Sequence, residues 1–219
     1  MILEDRTDKT RLARIWFAIT AAAVILGIAI QIPVTANGTV GFFHTPFERA
    51  LNVFSFFTIQ SNILIAITCF MLAIKPDRSS KVFSVVRMTG LVAITITGIV
   101  YHVALSGLFE LDTWGLAADQ LLHTVVPVMA LSGWLLFGPR RLVSSRIALF
   151  SLAFPIAWLA FTLIRGAFVP FYPYPFIDVN QLGYLKTTLN CLWVSLLFMA
   201  VAATYTRLDV VLGNQPVRK

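Results

Sequence analysis

Residues 50–74 read ALNVFSFFTIQSNILIAITCFMLAI, twenty-five positions without an Asp, Glu, Lys or Arg. At 1.5 Å rise per residue, ~20 apolar residues cross a hydrocarbon core about 30 Å thick, so this stretch predicts a membrane-spanning helix. Five others meet the same requirement, giving spans at 15–34, 50–74, 87–108, 119–137, 146–165 and 186–206. The connections are short, which predicts a single domain over 1–219. Composition agrees: 58% of residues are hydrophobic and 12% charged, against about 25% charged in ordinary soluble domains. Mean hydropathy is +0.82. The expected fold class is all-α, a polytopic membrane protein of six transmembrane helices. The first span carries an apolar core of about 19 residues, longer than the 7–15 of a signal-peptide core. It reads as a span even though VTA at 34–36 resembles a cleavage site.

The net charge of +7 is distributed asymmetrically. Lys and Arg outside the apolar cores number fourteen in alternate segments and three in the others. That is the positive-inside pattern, and it predicts cytoplasmic N- and C-termini. The basic residues then set topology and touch anionic lipid, which argues against a nucleic-acid partner. Cys69 and Cys191 fall at different depths on antiparallel spans, so they read as core residues rather than a disulfide.

With this topology each polar residue acquires a depth. Thr58, His102 and His123, on three different spans, all sit ~6–7 Å outward of the bilayer centre at 1.5 Å per residue. Ser55, Thr58 and Asn62 follow one another at helical spacing and share a face. Asp119 and His123 are one turn apart, with Pro127 another turn on. Arg165 and Asn190 lie at the outer ends of spans five and six. The inner halves carry no clear ionisable residue by this reading. Ionisable groups inside spans are rare and by default mark function. Each has a bland alternative: Thr58 back-bonding its own helix, Gln60, Ser61 and Asn62 joining helices, Asp119 capping and Arg165 snorkelling. The outer connection 165–186, RGAFVPFYPYPFIDVNQLGYLK, cannot continue as helix through Pro170, Pro173 and Pro175. Tyr172 and Tyr174 among its aromatics suit either an interfacial belt or a lid over a polar cavity.

No soluble-enzyme fingerprint, metal-ligand spacing or cofactor motif occurs in the chain, so no cofactor and no metal is expected. A hydroxyl and an imidazole at one depth permit nucleophilic attack on an ester carbonyl. Asp119 is placed to orient His123, and Gln60, Ser61 or Asn62 to supply oxyanion donors.

FTIQSN (57–62), QLLHTVVPVMALSGWLLF (120–137) and YPYPF (172–176) together resemble small bacterial six-span proteins. These are distantly similar to the androgen-induced family of eukaryotic membrane threonine hydrolases, which includes the androgen-dependent TFPI-regulating protein. The resemblance implies six spans and hydrolysis of fatty acid esters of hydroxy fatty acids, with membrane lipid as the source of an acyl-chain substrate. It places the catalytic roles on Thr58 and His123. In that family an Asn follows the Thr by three positions, whereas Asn62 follows Thr58 by four, which leaves Ser61 as a second candidate nucleophile. Rival readings remain open: a haem or quinone protein using His102 and His123 as axial ligands, a small transporter, or a structural membrane protein without chemistry.

Overall fold

The computed structural model describes residues 2–38, 41–108 and 110–213, with the side chains of 2–6 left aside. All regular structure among the described residues is helical: α1 (Ile2–Asn37), α2 (Pro46–Asn52), α3 (Phe57–Ile74), α4 (Lys81–Val100), α5 (Thr113–Gln120), α6 (Val126–Phe137), α7 (Ser145–Ser151), α8 (Ala153–Phe168) and α9 (Val179–Gly213). Short side chains start several of them. Ser80 accepts from the Phe83 N–H at the head of α4, Asp112 from Gly115 at α5 and Ser144 from Ile147 at α7, each pairing an amide that the helix leaves orphaned.

Six helical segments are long and apolar enough to cross a membrane: Thr7–Asn37, Phe57–Ile74, Lys81–Leu105, Thr113–Phe137, Ser145–Phe168 and Val179–Gly213. The protein is an integral membrane protein. α4 is the axis of the bundle, packing against α3, α6, α7 and α9, while α1 lies along α3, α5 and α6. In its apolar window 67% of the third span is buried, against 11% of the fifth, so α8 stands at the periphery. Close approach depends on small residues. A Cβ added at Gly133 would lie 2.8 Å from the Trp16 indole, whose Nε1–H donates to the Met129 carbonyl at 3.0 Å.

Five of the six spans are interrupted, and the interruptions in the second, third and fourth shape the site. The expected continuous helix over 50–74 is two helices. Thr45 and Glu48 form a reciprocal capping box, with Pro46 at the first helical position, so α2 starts and ends as its own unit. Glu48 accepts bonds from the Thr45 N–H and hydroxyl, which hold its carboxyl below the usual range. A 3₁₀ turn over Val53–Ser55 follows, and Phe56 (φ −74°, ψ 134°) breaks the helix before α3. Ser55 therefore does not share a helical face with Thr58 and Asn62. The third and fourth spans each contain a π turn, Tyr101–Leu105 after α4 and Leu121–Val125 between α5 and α6. The fifth is divided at Leu152, because Pro155 has no N–H for the Ser151 carbonyl and its ring crowds it. α9 kinks at Gly183 (φ 72°, ψ 166°), a conformation that glycine adopts most readily.

At the end of the bundle opposite α2, two ionisable side chains are buried that the reading of the inner halves passed over. Arg87 is 3% exposed, donates to Thr68 Oγ1 (3.2 Å) and Cys69 Sγ (3.4 Å), and lies over the Phe17 ring. Asp209, fully buried on α9, accepts from the Val143 N–H at 2.9 Å. Cys69 and Cys191 are both free thiols.

Gly133→Ala is expected to displace the Trp16 indole and cost about 1–3 kcal/mol by overpacking. The midpoint of thermal unfolding in detergent should fall. An unchanged midpoint would mean that the indole moves aside freely and that this contact does not hold α1 to α6.

Candidate active site

The N-terminus of α3, the π turn of the fourth span and the connection between α8 and α9 meet at one end of the bundle. Thr58 is the second residue of α3, so its N–H has no carbonyl four residues back within the helix. His123 sits in the middle of the π turn. That turn follows from Pro127. The Val126 N–H bonds back to the Leu121 carbonyl, and the next donor for the Leu122 carbonyl would be residue 127, which has none. Asn62 Nδ2 fills the gap: it donates to the Leu122 carbonyl at 3.1 Å and to the Thr58 carbonyl at 2.8 Å. One buried amide therefore ties the two segments carrying Thr58 and His123. The amide's Oδ1 has no hydrogen-bond partner among the described residues.

Held this way, Thr58 Oγ1 lies 3.2 Å from His123 Nε2. His123 Nδ1 lies 3.0 Å from Asp119 Oδ1, one turn earlier, and 3.2 Å from the Asp119 carbonyl. The hydroxyl of Tyr101, from the other π turn, donates to Asp119 Oδ2. Its ring stacks on the imidazole, with centroids 4.1 Å apart and planes 13° from parallel. Both imidazole nitrogens and one face are thus engaged. The order hydroxyl, imidazole, carboxylate is that of a nucleophile, a base and an orienting acid.

Tyr174 closes the other side of Thr58. Its hydroxyl lies 3.2 Å from Thr58 Oγ1 and accepts from the Thr58 N–H at 3.1 Å. The connection that carries it is firmly seated. Asn190 donates to the Phe176 carbonyl (2.8 Å), and Trp158, whose indole donates to the Ser55 carbonyl (2.9 Å), lies beside the Tyr174 ring with centroids 5.9 Å apart. Arg165 donates to Asn52 Oδ1 (2.9 Å), lies over the rings of Phe43 and Phe171, and does not reach Thr58. Tyr172 packs against α8 where Gly166 leaves room.

Behind Thr58 opens a cavity of about 210 Å³ between α3, α4, α8 and α9. Its walls are mostly aliphatic and aromatic, with Thr58, Thr97, Tyr174 and Ser195 as the few polar groups. Two lining residues, Ile156 on α8 and Met199 on α9, are 66% and 50% exposed on the outer flank of the bundle. The cavity therefore communicates with the surface that lipid would cover.

Of the residues singled out from sequence, Thr58, His123 and Asp119 converge, and Asn62 and Tyr174 join them. Gln60 donates instead to the Phe54 carbonyl, and Ser61 to the Thr58 carbonyl while pairing with Thr97 Oγ1 across to α4. None of Gln60, Ser61 and Asn62 presents a free donor beside Thr58. Ser55 donates to Asn52. His102 is exposed and its Nε2 meets Thr124 Oγ1 at 3.2 Å, so it does not join His123. Arg165, Asn190 and Tyr172 support the connection rather than face the hydroxyl. Tyr101 joins the site with no signal in the sequence beyond its place one position before His102. Comparison of the chain with protein-family models, with curated proteins and with solved structures found no match in any of the three.

A Cβ at Gly166 would fall 2.2 Å from the Tyr172 ring. Gly166→Ala is expected to unseat the connection, so amide hydrogen exchange over 169–178 should rise several-fold while α4 stays protected. Unchanged exchange there would show that Tyr172 is not what holds it.

Proposed function

We propose that this protein is an intramembrane hydrolase of lipid esters, with Thr58 as nucleophile, His123 as general base and Asp119 as the group that orients the imidazole. The observation that carries the reading is the position of Thr58 Oγ1, 3.2 Å from His123 Nε2 and on the wall of an apolar cavity. His123 takes the hydroxyl proton as Oγ1 attacks the acyl carbonyl. It then returns that proton to the leaving oxygen, and water releases the acyl group from Thr58 by the same route in reverse. Asp119 favours the tautomer with the proton on Nδ1, leaving Nε2 free to accept.

The apolar walls suit a fatty acyl chain, and the flank marked by Ile156 and Met199 lets it enter from the bilayer. Esters of hydroxy fatty acids are the substrate class consistent with the resemblance of FTIQSN, QLLHTVVPVMALSGWLLF and YPYPF to the androgen-induced hydrolases. A pair of histidines as axial ligands is less well supported, because both nitrogens of His123 are engaged by Thr58 and Asp119. The distribution of Lys and Arg supports cytoplasmic termini and with them a site in the outer half of the membrane, and the resemblance to bacterial six-span proteins supports a bacterial inner membrane.

A fluorophosphonate probe is expected to label the wild type and Ser61→Ala but neither Thr58→Ala nor His123→Ala. Asp119→Asn should slow labelling by roughly 10²–10⁴. Labelling that persists in both Thr58→Ala and His123→Ala would sink the proposed pair. For the orientation, a C-terminal fluorescent-protein fusion should fluoresce, and a C-terminal alkaline phosphatase fusion should be inactive. The opposite outcome reverses the topology.

A further inference from the structure

Ester cleavage needs a donor for the negative charge that develops on the acyl oxygen, and removing one such donor typically costs 10²–10³ in rate. The side chains nearest Thr58 in sequence do not supply it. Gln60, Ser61 and Asn62 are each committed to backbone carbonyls or to Thr97.

The directions of the hydrogen bonds around Thr58 point elsewhere. If Nε2 of His123 is to accept, the Thr58 hydroxyl donates to it. The Tyr174 hydroxyl, which accepts from the Thr58 N–H, then donates to Thr58 Oγ1. The chain of donors runs one way, from the head of α3 through Tyr174 and Thr58 to His123. Accepting a bond strengthens the next donation in such a chain, and the positive end of α3 adds to it. Tyr174 is 8% exposed, stacks on Phe176 (5.4 Å, 9°) and meets Phe56 edge-on (5.7 Å, 85°), with Pro173 and Pro175 on either side. Burial pushes its phenol up, so the proton it donates stays in place at neutral pH. The group is rigid, dry and protonated.

We propose that Tyr174 is a further catalytic residue, whose hydroxyl donates the hydrogen bond that stabilises the oxyanion formed when Thr58 attacks. This rests on the hydrolase reading above. As the bond from Oγ1 to the acyl carbon forms, the carbonyl π pair moves to oxygen and the Thr58 proton passes to His123 Nε2. Oγ1 no longer needs the Tyr174 donor, which turns to the new charge without losing its proton. On collapse the C=O bond re-forms, the bond to the leaving oxygen breaks, and His123 protonates that oxygen. The Thr58 N–H acts through Tyr174, polarising its hydroxyl.

The test uses the full chain in lipid nanodiscs with p-nitrophenyl decanoate as substrate and an alkyl trifluoromethyl ketone as tetrahedral mimic. Tyr174→Phe is expected to lower kcat by roughly 10²–10³ with little change in KM, and to raise the Ki of the ketone by a similar factor. Phe176→Leu, which loosens the ring but keeps the hydroxyl, should retain most of kcat; a loss equal to that of Tyr174→Phe would make the role structural and overturn the proposal. Wild-type turnover with an undiminished kcat in Tyr174→Phe overturns the role of Tyr174 and leaves the hydrolase reading standing. Wild type that neither turns over nor takes the fluorophosphonate label overturns both. If Tyr174→Phe does not fold, ketone binding to Tyr101→Phe decides: a tyrosine difference band in the ultraviolet supports the proposal, and its absence overturns it.

Discussion

Hydrocarbon offers a backbone carbonyl no partner, and an unpaired one costs several kcal/mol there. The Leu122 carbonyl is in that position, since the π turn takes the Val126 N–H to Leu121 and Pro127 has no N–H to give. Asn62 answers it from another helix, and the arrangement of the site depends on that answer. The same amide holds the Thr58 carbonyl, so satisfying the turn that bears His123 also sets its distance from Thr58. Leu122 itself is buried, and a Cβ at Gly27 of α1 would lie 2.8 Å from its side chain. A helical defect that would be a liability in isolation is pinned from two sides.

Burial is unevenly spread across the bundle. α1, α3, α4 and α6 form the interlocked part, with Met88, Ile94, Ile65, Val24 and Val126 fully buried between them. Thr58 stands on this part, and Tyr101, His123 and Asp119 stand on the π turns and on α5, which are continuous with it. α8 and the outward flank of α9 are less buried, and the cavity lies between them and α4. With the polar cluster on the more buried side and the cavity on the less buried side, a wider cavity would leave the distances among the clustered side chains unchanged. Far from the site, Arg87 contributes differently. Its Nη1 and ring contacts tie α4 to α3 and α1, while Nε and Nη2 have no partner among the described residues.

The sequence disclosed the spans well because hydropathy over twenty residues is a long signal that tertiary contacts seldom overturn. It put Thr58 and His123 at one level because depth is nearly additive along successive spans, and it put Asp119 beside His123 by one-turn spacing. It failed where one residue's environment is decided by another segment. Ser55 looked continuous with Thr58 by helical spacing, but the Thr45–Glu48 capping box and Phe56 make a separate helix; the TPFE run was the available clue. His102 shares the depth of His123 and not its direction, because the π turn after α4 sends Tyr101 to the imidazole and His102 to Thr124. Arg87, one of the Lys and Arg residues whose distribution predicts topology, is a buried helix-joining group. Depth can be read from a sequence more easily than azimuth.

The break at Phe56 bears most on what Thr58 can do. In an unbroken helix over 50–74, the Thr58 N–H would be bonded to the Phe54 carbonyl, and the helix dipole would be neutralised locally by the turn before it. The hydroxyl would then sit among satisfied groups with only His123 to engage. With the break, the head of α3 exposes its first amides at the level of the imidazole, and the Phe54 carbonyl is taken by Gln60 Nε2 instead. The Thr58 N–H becomes free to meet Tyr174, so one residue contributes a hydroxyl to His123 and an amide to the tyrosine. The polar residues that interrupt this apolar run thus serve two ends. Gln60 and Asn62 maintain the break and its neighbouring turn, and Thr58 uses the helix end that they keep open.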